Sequence, residues 1–116
     1  MGIKYLWDTN IAIYYLQKQF PASAEQFMDG ILKEFQHCIS AITEIELLCW
    51  KTANENDLDI LKSFILDSIV FELEKEVKNK TVALRKAHKI KLPDAIIAAT
   101  AIVNGLTLLT RNVSDF

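Results

Sequence analysis

Four carboxylates carry the chemistry open to this chain: Asp8, Glu46, Asp94 and Asp115. Each falls where an apolar run ends or a helical pattern begins. Carboxylates gathered in one place repel and raise one another's pKa values. A divalent cation relieves that repulsion, and an all-oxygen donor set selects hard ions such as Mg²⁺ or Mn²⁺ over zinc or copper. Ions held in this way activate water and stabilise the charge that develops on a phosphate during in-line displacement. One ion or two would serve.

The elements that must position these acids follow from periodicity. Ile3–Trp7 is a short apolar strand ended by Asp8, and Thr9–Lys18 then follows a mainly helical pattern. Pro21 breaks it. Ala24–Phe35 reads as a second helix, with Phe27, Ile31 and Phe35 four apart, and His37–Ser40 as a second strand. Thr43 opens the next helix, with Glu46 three residues on as the second half of a capping box. Lys51–Asp57 reads as a loop, and Leu58, Leu61, Phe64 and Ile65 mark another helix. Ser68–Leu73, β-branched and aromatic, is a third strand. Glu74–His88 is helical. Pro93 fits the first turn of a helix through Asp94–Asn104, Gly105 sits at its C′ position, and Leu106–Thr110 is a fourth strand.

Strands alternating with helices imply an α/β fold with a parallel sheet covered on both faces. In open sheets of this kind ligands bind beyond the carboxyl ends of the strands. Asp8 directly follows the first strand, and Glu46 lies in the first turn after the second. Asp94 begins the helix that runs back antiparallel to the fourth strand, and Asp115 lies just beyond that strand. All four are expected on one rim. Each has a plainer reading: Asp8 as a helix cap, Glu46 as half a capping box, Asp94 as a complement to the helix dipole, Asp115 as a solvated turn residue. Singly these are the better bets; together they would make the shared rim an accident.

The 116 residues make one domain, 51% apolar, with three Gly, two Pro and no low-complexity stretch. The apolar runs are too short to span a bilayer, and no signal segment opens the chain, so a cytoplasmic protein is expected. Cys38 and Cys49 read as reduced core thiols, and His37 and His88 lack zinc-ligand spacing. The net charge of −2 excludes nucleic-acid binding by bulk charge alone.

Trp7-Asp8-Thr9-Asn10, Ser40 to Leu47, Lys91 to Ala101 and Thr110 to Phe116, in that order and spacing, resemble the PIN-domain ribonucleases, and most closely the VapC-type toxins of bacterial toxin–antitoxin pairs. The resemblance covers nearly the whole chain. It implies a three-layer α/β/α sandwich around a mainly parallel sheet of four to five strands. The fifth would lie past Phe116, where such chains usually continue into another short strand. It implies Asp8 and Asp94 as central metal ligands, Glu46 as the second acid (Glu44 does not align) and Asp115 as the fourth acid and a further ligand. Thr110 and Asn112 would support the site by hydrogen bonds. The implied activity is Mg²⁺- or Mn²⁺-dependent endonucleolytic hydrolysis of RNA by a homodimer that a cognate antitoxin blocks.

Arg111, next to the acidic rim, is the best single candidate for an RNA phosphate contact. Arg85, Lys86, Lys89 and Lys91 read as a solvated face, and Trp7, Trp50 and the Phe residues as core or dimer interface. Two other readings stay open: a PIN-like binding module without turnover, and a PIN nuclease of RNA processing outside any toxin–antitoxin pair.

Overall fold

A computed structural model describes residues 2–51 and 54–111. In chain order the elements are β1 (Gly2–Trp7), α1 (Thr9–Leu16), α2 (Ala22–Glu34), β2 (Phe35–Ser40), α3 (Ala41–Leu48), α4 (Glu55–Asp67), β3 (Ile69–Phe71), α5 (Lys75–Ala87), α6 (Leu92–Val103) and β4 (Thr107–Leu109). The strands form one sheet in the order β3-β2-β1-β4, and every neighbouring pair is parallel.

Side chains alternate across a strand, so successive residues serve opposite faces. Trp7 and Ile39 enter a core with Ile11 and Ala12 of α1, Met28 and Ile31 of α2, Leu47 of α3, and Leu61 and Phe64 of α4. Leu6 and Cys38, one residue earlier in each strand, enter a second core with Ile97 and Ala101 of α6. Ala95 and Ala99 are fully buried, and these small side chains let α6 close on the sheet. Two cores on two faces give the expected α/β/α sandwich.

The register places all four strands side by side only at their carboxyl ends. Leu6 pairs with Cys38 and Leu108, and Cys38 with Ile69. At the other end Gly2 and Ile3 pair with β2 alone and are exposed. The chain steps from β1 to β2 to β3 on one side, then crosses to place β4 on the other flank of β1. The strand order therefore reverses between β1 and β4.

Several boundaries differ from the sequence reading. α2 starts directly after Pro21 and ends before Phe35, which belongs to β2. Its inward residues are Met28 and Ile31, while Phe27 is exposed, so of the three residues four apart only Ile31 marks the buried stripe of the helix. Residues 55–57, read as loop, form the first turn of α4, where the Asn54 side chain accepts from the Asp57 amide at 2.8 Å. Cys49 is exposed rather than core. Cys38 is buried, and that burial pushes its thiol up to about 11.

The end of α6 follows the sequence expectation closely. Gly105 takes φ +64°, Leu106 N–H donates to Ala101 C=O at 2.8 Å and Gly105 N–H to Ile102 C=O at 3.3 Å. These are the two bonds of a Schellman turn. It folds the chain straight from α6 into β4, which runs antiparallel to the helix.

Candidate active site

Asp8 is the first residue past β1 and the N-cap of α1, with ψ 154°. Its backbone N–H continues the sheet by donating to Leu109 C=O at 2.9 Å. A capping carboxylate would serve the second or third helical amide. Asp8 Oδ1 instead accepts from the adjacent Thr9 amide at 2.8 Å, and Oδ2 accepts from the Thr110 hydroxyl, also at 2.8 Å. Both oxygens are held, and the residue is only 4% exposed. A buried carboxylate is costly unless charge-assisted bonds or a cation offset its lost hydration. The site lies where the strand order reverses, the place at which open parallel sheets bind ligands.

Glu46 reaches Asp8 indirectly. The Thr9 hydroxyl donates to Glu46 Oε1 at 2.6 Å and shares a 3.0 Å bond with the Thr43 hydroxyl. Ser40 Oγ lies 3.2 Å from Thr43 Oγ1 and accepts from the Thr43 amide at 3.2 Å. Here the structure corrects the capping box. Ser40, the last residue of β2, caps α3, and Thr43 is the third helical residue. Glu46 therefore lies in the second turn, not the first. Thr43 and Glu46, three apart, share one helix face, which is why both meet Thr9.

Asp94 is half-buried in the first turn of α6, after Pro93. It precedes by one turn Ile97, which packs with Leu6, two residues before Asp8. Because α6 is antiparallel to β4, its start lies at the same sheet end as Thr110. Among the described residues no three His, Cys, Asp or Glu side chains form a group able to hold a metal ion. Asp115 and Asn112, the remaining acid and support residue of the sequence reading, lie outside the described residues.

Around this centre, Arg111 is exposed and its guanidinium lies 3.8 Å from the centroid of the Tyr14 ring in α1. Tyr14 in turn stacks on Phe20. Arg85 and Lys86, in the last turn of α5, and Lys89 and Lys91, ahead of α6, are all exposed. His37 stacks on Phe64 in the core, and His88 ends α5, so neither joins the acids. Thr9, Ser40, Thr43 and Tyr14 are not among the site residues expected from sequence, although Thr43 reads there as a helix cap. The pairing of Thr43 with Glu46 at helical spacing was the signal available for one of them.

With this geometry in hand, a family model described as PIN domain matches residues 5–114. No curated protein matches the chain at a significant level. Among solved structures, the chain is similar to a toxin–antitoxin complex from Klebsiella pneumoniae, at 32% identity and TM-score 0.79 over 97% of this chain and 90% of that one. It also resembles VapBC2 from Rickettsia felis bound to a promoter DNA fragment, at 24% identity and TM-score 0.77 over 98% and 91%. FitAcB from Neisseria gonorrhoeae follows, at 22% and 0.73 over 97% and 90%. The last two likenesses concern the fold alone.

Proposed function

The chain belongs to the PIN-domain family, and from that premise we propose that it is a divalent-metal-dependent endoribonuclease, the toxin of a VapBC-type toxin–antitoxin pair. One observation carries the reading. A buried carboxylate, Asp8, is held at both oxygens at the reversal of the strand order, and Thr9 ties its loop to a second acid, Glu46.

The donor set fits a hard cation, because every candidate ligand is a carboxylate oxygen. Asp8, Asp94 and Asp115 would hold the ion, and Glu46, the further acid, would complete its carboxylate set. When bound, Mg²⁺ or Mn²⁺ supplies an activated water and charge stabilisation for a phosphodiester under attack. The chain's own part is positioning. Thr110 and the Thr9 amide keep the Asp8 carboxylate from turning, and Thr9 fixes Glu46 by one oxygen. Thr110 and Asn112 are the proposed supporting pair. Arg111, stacked on Tyr14 beside Thr110, is the proposed contact for a backbone phosphate of RNA, with the exposed basic residues ahead of α6 adding attraction.

The partner assigned under this reading is a cognate antitoxin, as in the complexes to which the chain is similar, and the expected assembly is a homodimer acting in the cytoplasm. No helix among the described residues is long and apolar enough to cross a membrane. The test is cleavage of RNA by the purified chain with Mg²⁺ or Mn²⁺, with a chelator, and with Asp8→Asn. Metal-dependent cleavage lost in the variant is the expected result. Equal cleavage by both proteins, with contaminating nuclease excluded, would refute the assignment.

A further inference from the structure

Glu46 ends a chain of hydroxyls whose direction is forced. The Thr9 hydroxyl has one proton, and the 2.6 Å bond to the Glu46 carboxylate claims it. Thr9 Oγ1 can then only accept from Thr43 across their 3.0 Å contact. That commits the Thr43 proton, so Thr43 Oγ1 accepts from Ser40 Oγ–H at 3.2 Å. The Ser40 oxygen accepts from the Thr43 amide. Each hydroxyl donates once and accepts once, and the sequence Ser40 to Thr43 to Thr9 to Glu46 runs from the end of β2 to the acid. Ser40 and Thr43 are 0% exposed and Thr9 is 8% exposed, so bulk water does not compete for these protons. Aligned hydrogen bonds in a low-dielectric interior reinforce one another.

We infer that Thr43 is a positioning residue: it touches no acid of the candidate site, and acts through Thr9 to fix the Glu46 carboxylate for cation binding. This rests on the reading of the site as a metal centre. Without the Thr43 hydroxyl, Thr9 Oγ1 loses the donor that fixes its rotamer, and Glu46 is tethered to a side chain that can turn.

Two substitutions separate this role from packing. Thr43→Val keeps the shape and removes the hydroxyl. Thr43→Ser keeps the hydroxyl and removes a methyl group from a fully buried site. Mn²⁺ binding to the full chain without RNA, read from the electron paramagnetic resonance signal of free Mn²⁺, is measured beside kcat and KM for RNA cleavage. Removing the direct partner of a metal ligand costs about 10- to 100-fold in metal affinity; Thr43 stands one hydroxyl further out, so Thr43→Val is expected to lose about 10-fold, the low end, while Thr43→Ser stays close to wild type. The valine variant should lose kcat with KM for RNA little changed. A packing role predicts the reverse order, with valine harmless and serine damaging, and that order overturns the inference. Should Thr43→Val fail to fold, Thr43→Ala against Thr43→Ser, which differ only by the hydroxyl, carries the same comparison. Wild type that binds Mn²⁺ and cuts RNA while the variant lacking the hydroxyl matches it sinks this inference alone. Wild type that does neither sinks the metal-centre reading and this inference with it.

Discussion

Replacing Asp8 with Asn separates charge from geometry at the centre of the site. The amide can keep both neighbours: its oxygen accepts from the Thr9 amide, and its NH₂ donates to a Thr110 hydroxyl rotated to accept. Bonds to a charged group are worth about 1.5–3 kcal/mol and neutral ones about 0.5–1.5, so each of the two weakens by roughly 1–2 kcal/mol. Against this, a carboxylate only 4% exposed is relieved of its charge, a penalty of several kcal/mol per buried ion. The metal-free variant should therefore be as stable as wild type or more so. With cation the order inverts. At 100 times its Kd, a bound ion stabilises wild type by about 2.7 kcal/mol, which for a chain of this size raises Tm by roughly 10 °C. Asp8→Asn should show almost none of that rise. Thermal unfolding with Mn²⁺ and with a chelator measures all four values. An Asn variant whose Tm climbs with Mn²⁺ as far as wild type would refute the assignment of Asp8 as a ligand. A metal-free variant that unfolds far below wild type would refute the account of Asp8 as a buried charge.

Gly105→Ala should lower stability by about 1–2 kcal/mol in denaturant unfolding, since φ +64° penalises a Cβ. Nothing lies within 4 Å of the added Cβ, so the cost is backbone strain alone. One thiol, Cys49, should react with a disulfide reagent in the native protein; Cys38, whose burial pushes it up to about 11, should react only on unfolding. Burial, followed by the hydrogen bond and charge of Asp29, pushes Tyr15 up to about 12. The folded state then holds that proton more tightly than the unfolded chain. Its contribution to stability is fully present below pH 10 and is lost as pH rises from about 10 through 12. Unfolding midpoints across that range should fall more steeply for wild type than for Tyr15→Phe.

The architecture was legible because strand and helix periods alternate along the chain, and because Gly105, free to take the left-handed backbone, marks the end of an apolar helix. Asp8 was legible as the residue that ends an apolar strand. The start of α3 was not. Ser40 and Thr43 are both capping residue types, only Thr43 has Glu46 three residues on, and the choice depends on how far β2 extends beside β1, a tertiary matter. The hydroxyl chain was hidden for a related reason: Thr9 and Thr43 lie 34 residues apart and meet only through strand pairing. Strand order was equally out of reach. Nothing local to Leu106–Thr110 says on which flank of β1 it will add, yet that choice creates the crevice. The stacking of Arg111 on Tyr14 follows from it, since β4 delivers Arg111 beside the helix that leaves β1.

The bond between Thr110 and Asp8 closes a loop of 102 residues. A growing chain makes Asp8 102 residues before the Thr110 hydroxyl that holds it. Helices and the β1-β2 pair can form earlier, because they need only what has already been made. The crevice cannot. Under the nuclease reading, a chain made only as far as α6 already carries Asp8, Glu46 and Asp94, and Asp8 gains its second hold only when β4 pairs beside β1.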